Sequence, residues 1–137
     1  MDNTDTIGEV GLAFTCDFSK PGGFVGREAA LREKQAGAAQ LKQRLVQLLV
    51  LDPQVLLYHA EVVFRDGIPV GEVRSASYGH TLGGAVGLVM VERREGRDMS
   101  AAGIQASHWE VQVEGRMYAC KVSLRPLYDP RAERIKT

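Results

Sequence analysis

The stretch Val62–Val91, VVFRDGIPVGEVRSASYGHTLGGAVGLVMV, decides how the rest of the chain is read. Asp66-Gly67 separates the apolar run Val62, Val63, Phe64 from a second run that opens at Ile68. Asp-Gly between two strand-like runs predicts a type I′ hairpin turn, because both central residues of that turn need positive φ. Beyond it, Val70, Val73, Ala76 and Tyr78 are spaced like a twisted strand that Gly71 bulges or bends. Gly79, Gly83 and Gly84 then mark a loop, and AVGLVMV reads as a fully buried strand. Three strands within about thirty residues leave no room for a crossover helix, so their pairing is expected to be antiparallel.

Working outward, the sheet needs neighbours. Upstream, LKQRLVQLLVL (Leu41–Leu51) has no Gly or Pro and stops at Asp52-Pro53. Its leucines would also suit a helical face, and periodicity alone does not separate the two states. A strand is favoured because the sheet requires a partner before the hairpin. Residues 54–58 read as a loop into a strand from His59 to Phe64. Downstream, Glu92–Asp98 is a mixed-charge solvated loop, and Ser100–Ser107 is loop again. Trp109, Val111 and Val113 alternate with Glu110, Gln112 and Glu114, the clearest period of two in the chain. Gly115-Arg116 turns this strand into MYACKVSL, a second hairpin. Val70, Val86, Leu88, Met90, Val111 and Val122 are the expected core.

Before Leu41 the signals differ. Val10–Thr15 reads as a short strand or an extended connector, and Pro21-Gly22-Gly23 as a turn. Residues 26–36 carry strong helix formers, with Glu28 and Arg32 at i,i+4 and Gly37 as the stop. A helix of about three turns is marginal alone in water. It is therefore expected to dock on the sheet through Phe24, Ala30 and Leu31. The fold class is mainly β (α+β): a small antiparallel β-barrel or sandwich with one principal helix near the N-terminus.

Composition excludes several functions. The 137 residues suit one domain with a real core, and 17 basic residues balance 17 acidic ones. Neutral charge and 7% aromatic content argue against a nucleic-acid-binding role. No apolar stretch reaches the length of a membrane span. Cys16 and Cys120 are far apart, and Cys120 reads as a buried, inert thiol. His59, His80 and His108 are not at metal-ligand spacing. His80 beside Ser77 and Tyr78 lacks a third ordered group for nucleophilic catalysis. No catalytic centre and no phosphate loop is legible.

Several segments together resemble a family. Phe24-Val25-Gly26-Arg27-Glu28-Ala29, then Gly71-Glu72-Val73 with Ser75, then Gly79-His80-Thr81-Leu82-Gly83, are similar to elements of the folate-dependent aminomethyltransferases, the glycine cleavage T-protein and its relatives. Glu9-Val10-Gly11-Leu12 is similar to an element that precedes this region in the family. Leu124–Pro130, LRPLYDP, followed by Glu133-Arg134, resembles a narrower branch. These are the flavoproteins that demethylate sarcosine or dimethylglycine and carry a T-protein-like half at their C-terminus. Ser75-Ala76-Ser77 departs from the serine-glycine that T-proteins usually have there.

The resemblance implies a C-terminal, non-catalytic barrel domain at residues 24–137, entered through a connector at 1–23 from an absent upstream domain. Tetrahydrofolate would be the cofactor of the full-length enzyme, bound weakly or not at all by this chain, and FAD would belong only to the upstream domain. The implied partners are the upstream folate-binding and flavin domains of the same protein, with no nucleic acid and no membrane. The setting would be cytoplasmic, or the mitochondrial matrix in a eukaryote. The tail is placed near folate through Arg125 and Tyr128. A surface ion pair for Arg125 and tail packing for Tyr128 is the plainer role for that pair. The isolated chain is expected to be inactive. The alternative is an independent small-barrel binding module, since fold does not fix function.

Overall fold

Six strands close into a barrel in the computed structural model, which describes residues 3–134 and 136. Met1, Asp2 and Thr137, the outer ends of the two predicted segments, lie outside the described residues. The strands are β1 (Gln43–Val50), β2 (Val62–Arg65), β3 (Ile68–Gly79), β4 (Gly84–Glu92), β5 (Trp109–Val113) and β6 (Arg116–Ser123). Around the barrel they run β1-β4-β3-β2-β5-β6 and back to β1, with every neighbouring pair antiparallel. The fold class expected from sequence is therefore present, with a barrel rather than a sandwich. Closure leaves no edge strand to template aggregation. Leu41–Leu51 is resolved in favour of a strand, while the strand expected from His59 starts only at Val62.

Both hairpin turns have the backbone that their sequences require. Asp66 and Gly67 sit at φ of 52° and 79°, and Glu114 and Gly115 at 49° and 78°. The second turn is thus Glu114-Gly115, one residue earlier than Gly115-Arg116. The glycine supplies the second positive φ at little steric cost.

The 12-residue strand β3 is bent by two single-residue insertions. Val63 pairs with Gly71 and Phe64 with Pro69, so Val70 is the extra residue against β2. Val73 pairs with Val89 and Ser75 with Leu88, so Arg74 is extra against β4. Each insertion resets the alternation. Consequently Val70, Val73 and Ala76, three residues apart, all reach the core. The expected bend near Gly71 is real, although the bulged residue is its neighbour. Gly71 itself is needed for a close approach, since a Cβ there would stand 2.3 Å from the Met90 carbonyl oxygen.

The core expectation needs correction on β4. Ala85, Gly87, Val89 and Val91 are buried and lie on the inward face, whereas Val86 is half-buried and Leu88 exposed. A closed antiparallel barrel has one inner face, so an apolar run does not make a strand buried on both sides. Met90 is buried on the outer side beside Leu45, its register partner. Val70, Val111 and Val122 are buried as expected.

The segment between β4 and β5 is not all loop. Ala101–Ala106 forms the short helix α2, capped by the Ser100 hydroxyl, which accepts the Gly103 N–H at 3.2 Å. Six residues including a glycine are too few to show a helical period. Ile104 drops into the core, and its carbonyl accepts the Trp109 Nε1–H at 2.8 Å. The buried Arg65 ties this segment down. It donates to Ser107 Oγ at 2.7 Å and to the carbonyls of Asp98 and Gly103, both at 2.8 Å, and lies over the Trp109 ring. Three satisfied donors offset the cost of removing a guanidinium from water.

The N-terminal arm also departs from expectation. Val10–Thr15 is a turn followed by a short 3-10 helix at Ala13–Thr15, not a strand. The principal helix α1 (Arg27–Ala36) forms where predicted and stops at Gly37, but none of its residues is buried. It does not dock on the sheet through Ala30 and Leu31. Instead Glu33 accepts the Gly8 N–H at 3.0 Å and the Thr6 hydroxyl, which ties the helix to the opening turn. Phe24 packs on Phe18, with ring centroids 5.9 Å apart.

Candidate docking face and the C-terminal tail

The outer face of β3, β4 and β1 is the most distinctive surface that the register creates. Ser75, Leu88 and Gln47 form one row across the three strands, continued by Ser123 on β6. Ser77, Val86, Leu49 and Lys121 form the next. Antiparallel pairing brings such opposite residues within contact range on one face. The rows enclose a shallow groove of about 200 Å³ lined by Gln47, Ser75, Ser77, Val86 and Leu88. Leu88, 40% exposed, is its largest uncovered apolar side chain. Hydroxyls on one strand, aliphatic groups on the next and an amide on the third make a surface suited to packing, with a few polar contacts to set direction.

The tail runs off β6 onto this same region. The Gln47 amide oxygen accepts the Leu127 N–H at 3.0 Å, across 80 positions of sequence. Ser123 Oγ donates to the Arg125 carbonyl at 2.8 Å and accepts the Arg125 N–H at 3.1 Å, which fixes the backbone where the strand ends. Asp129 accepts the N–H groups of Glu133 and Arg134 at 2.9 and 3.1 Å, so the tail closes in a capped turn. Arg125 and Tyr128, the residues singled out from sequence, are both exposed. The Arg134 guanidinium lies 5.6 Å from the Tyr128 ring centroid. Stacking on the tail is thus part of what Tyr128 does, whereas no ion pair involving Arg125 is present among the described residues.

Gln47 was not singled out from sequence, although a signal existed. It is a polar residue on the outer side of an otherwise apolar run, with Leu45 and Leu49 on either side. A second hollow of about 620 Å³ lies where the arm meets β1 and the end of β4. Glu9, 5% exposed, is on its wall, with one carboxylate oxygen accepting the Thr6 N–H at 3.1 Å and the Gln43 amide at 3.3 Å. Its carbonyl accepts the Leu45 N–H at 2.7 Å, so Glu9 joins the arm to the barrel.

The remaining chemistry-bearing residues do not converge. His80 meets the Tyr78 ring edge-on at 5.1 Å, and His108 Nε2 lies 3.7 Å from Glu110. Among the described residues, no group of three or more His, Cys, Asp or Glu side chains could hold a metal ion. The Cys120 thiol is pushed up to about 12 by burial, which keeps it protonated and unreactive at neutral pH.

Residues 43–129 match the family of glycine cleavage T-protein C-terminal barrel domains. The chain belongs to that family. Its match starts at the first residue of β1 and ends within the capped tail, so Arg125 and Tyr128 fall inside it and α1 outside. The chain is 42% identical over 126 residues to a formaldehyde-forming 4-methylaminobutanoate oxidase of Paenarthrobacter nicotinovorans, covering 92% of this chain and 14% of that protein. It is 30% identical over 128 residues to human mitochondrial sarcosine dehydrogenase, covering 93% of this chain and again 14% of the relative. An aminomethyltransferase of Legionella pneumophila is 31% identical over 123 residues, or 89% of this chain and 30% of that protein. This chain therefore spans about one seventh of the length of the first two relatives. A crystal structure of the glycine cleavage system aminomethyltransferase T from Bartonella henselae shares the fold. Its TM-score is 0.66 at 21% identity, with 88% of this chain and 32% of that chain covered.

Proposed function

We propose that this barrel is the C-terminal, non-catalytic domain of a folate-linked one-carbon enzyme of the sarcosine or dimethylglycine dehydrogenase kind. It packs on the folate-binding part of the protein and completes the tetrahydrofolate pocket. The observation that carries this reading is the outer face of β3, β4 and β1, where Leu88 stays exposed in a groove beside a tail fastened by Gln47. Membership of the T-protein barrel family, and relatives whose names are those of N-methyl amine oxidoreductases and an aminomethyltransferase, support the reading. On this reading FAD and the folate-binding walls belong to other domains. Arg125 supplies a guanidinium that matches a folate carboxylate in geometry, and Tyr128 a partly exposed ring beside it in sequence. One barrel offers a single wall of a pocket, so the isolated chain binds tetrahydrofolate weakly or not at all. The cytoplasm, or the mitochondrial matrix in a eukaryote, is the matching location.

Two measurements test this. Calorimetric titration of the isolated chain with tetrahydrofolate is expected to give no micromolar binding; binding of that strength, lost in Arg125→Ala, would favour an independent binding module. A chimaera where this chain replaces the matching segment of the Paenarthrobacter oxidase is expected to bind tetrahydrofolate, and Arg125→Ala or Leu88→Asp to weaken that binding about 10-fold or more; a chimaera that binds none would count against the reading. A chimaera that binds equally well with either substitution would refute the pocket-completing role.

A further inference from the structure

Neither the β3-β4-β1 face nor the tail uses the 620 Å³ hollow between the arm and the barrel. Its volume falls within the roughly 300–1,000 Å³ typical of small-molecule pockets. Charge is divided between its walls. The arm side contributes the carboxylates of Glu9 and Glu33. The barrel side contributes Lys42, Arg93 and Arg94, against the single carboxylate of Glu92. The barrel wall is held together where the Arg93 N–H donates to the Lys42 carbonyl at 2.7 Å.

Most of these charged groups are already engaged. Glu33 accepts the Gly8 N–H and the Thr6 hydroxyl. Arg93 donates to Gln40 Oε1 at 3.0 Å and to the Gly96 carbonyl at 3.4 Å, and Arg94 pairs with Glu92. Two groups stand apart. Glu9 is 5% exposed, yet both hydrogen bonds to its carboxylate, from the Thr6 N–H and the Gln43 amide, go to the same oxygen, Oε2. Among the described residues, Oε1 has no partner, and neither does the Lys42 ammonium.

The local fold explains only half of the Glu9 carboxylate. The Glu9 N–H donates to Thr6 Oγ1 at 3.3 Å, so Thr6 and Glu9 form the reciprocal pair of a capping box. That pair uses Oε2 and leaves Oε1 over. Oε1 is not sealed into the protein, since it is absent from the fully buried atoms that lack a partner. A carboxylate removed from water is costly unless its charge is met. Among the described residues no basic side chain pairs with Glu9. A cation that enters the hollow would meet that charge.

We propose that this hollow binds a small amino acid in its dipolar form. The ammonium donates to Glu9 Oε1, and the carboxylate accepts from the Lys42 ammonium. Arg93 and Arg94 add positive potential to the wall that the carboxylate faces. A simple cation would leave the basic wall unused, and a simple anion would be repelled by Glu9. A molecule that carries both charges answers both walls. The site stands apart from the pocket-completing role, which uses the β3-β4-β1 face and the tail, so either can fail without the other. One buried charge contact and one exposed lysine predict a weak site, with Kd on the order of 1 mM.

Backbone-amide NMR titration of the 137-residue chain tests this. The probes are unbranched amino acids of rising length, from glycine to 6-aminohexanoate, with methylammonium and acetate as the separate ends. Saturable shifts are expected at Thr6, Glu9, Gly37 and Lys42, with one length preferred. Methylammonium and acetate are each expected to bind at least about 10-fold more weakly than the best amino acid. Glu9→Gln keeps an acceptor for the Thr6 N–H but removes the charge, and it is expected to weaken binding about 10-fold. Lys42→Met, at an exposed position, is expected to keep the melting temperature within about 2 °C of the parent and to weaken binding about 3-fold or more. Should Glu9→Gln fail to fold, Lys42→Met alone decides. The proposal is overturned by an absence of saturable shifts up to about 50 mM, which is far above the expected Kd. Shifts confined to another surface, or equal binding by every length, would overturn it too. So would methylammonium binding as tightly as the best amino acid, or Lys42→Met binding like the parent.

Discussion

Leu88 and Val89 are neighbours in sequence with opposite environments. Val89 is fully buried and Leu88 is 40% exposed, because successive side chains on β4 point to opposite sides of the barrel wall. Val89→Asp places an unpaired carboxylate in the core and is expected to cost roughly 3–6 kcal/mol, enough to unfold a domain of ordinary stability. Leu88→Asp is expected to change stability by about 1 kcal/mol or less. Urea denaturation of both variants checks the pair, and equal losses would show that the outer face is not open. Cys120 carries a pH dependence. Its folded thiol titrates near 12 against an ordinary value of 9.0, and burial is the largest cause. A raised folded value means that the folded state keeps a proton the unfolded chain releases. The stabilisation is whole below pH 9 and is lost as pH climbs toward 12. Between those limits the parent's stability is expected to fall more steeply with pH than that of Cys120→Val, by at most about 1.4 kcal/mol per pH unit. Parallel pH slopes in the urea midpoints would remove the thiol from that account.

At the scale of elements, β3 holds the two halves of the barrel together because it can bend twice. The insertions at Val70 and Arg74 let one strand pair with β2 at its start and with β4 at its end. Gly71 sits between them with the Met90 carbonyl against its Cα, where no side chain fits. Gly71→Ala must move backbone, and overpacking of that kind is expected to cost roughly 1–3 kcal/mol. Gly67→Ala faces open space and instead meets a positive φ of 79°, so it is expected to cost about 1 kcal/mol. Thermal melts of the two variants distinguish crowding from backbone strain; a Gly71→Ala protein melting like the parent would show that β3 and β4 separate easily.

For the molecule as a whole, nearly all the core belongs to the barrel. Every buried hydrophobic residue lies between Leu41 and Val122, and Glu9 is the single buried group before them among the described residues. A chain beginning at Ala38 is therefore expected to keep a cooperative unfolding transition, with Leu41 still in place to close the barrel end. A non-cooperative melt would show that the arm contributes to folding. The barrel's pairing is long-range, β1 with β6 above all, so its folding is expected to be slower than that of a helical domain of equal length.

Residue type and spacing by themselves determined the local elements: the Asp66-Gly67 hairpin, the alternating β5, the helix ending at Gly37 and the apolar β1. Each depends on near neighbours, on φ preference, or on a period of two or 3.6, and these are written in consecutive residues. The motifs also sufficed to indicate the family. What the sequence left open depended on distant partners. Only closure of the barrel decided that Val86 and Leu88 face outward, since an apolar run reads the same whichever side is buried. Only the packing of residues 93–108 against Arg65 made α2, because six residues carry too little periodicity to declare a helix. The hydrogen bond from Leu127 to Gln47, which helps fix where the tail lies, joins residues that no local pattern connects, and it depends on β6 pairing with β1.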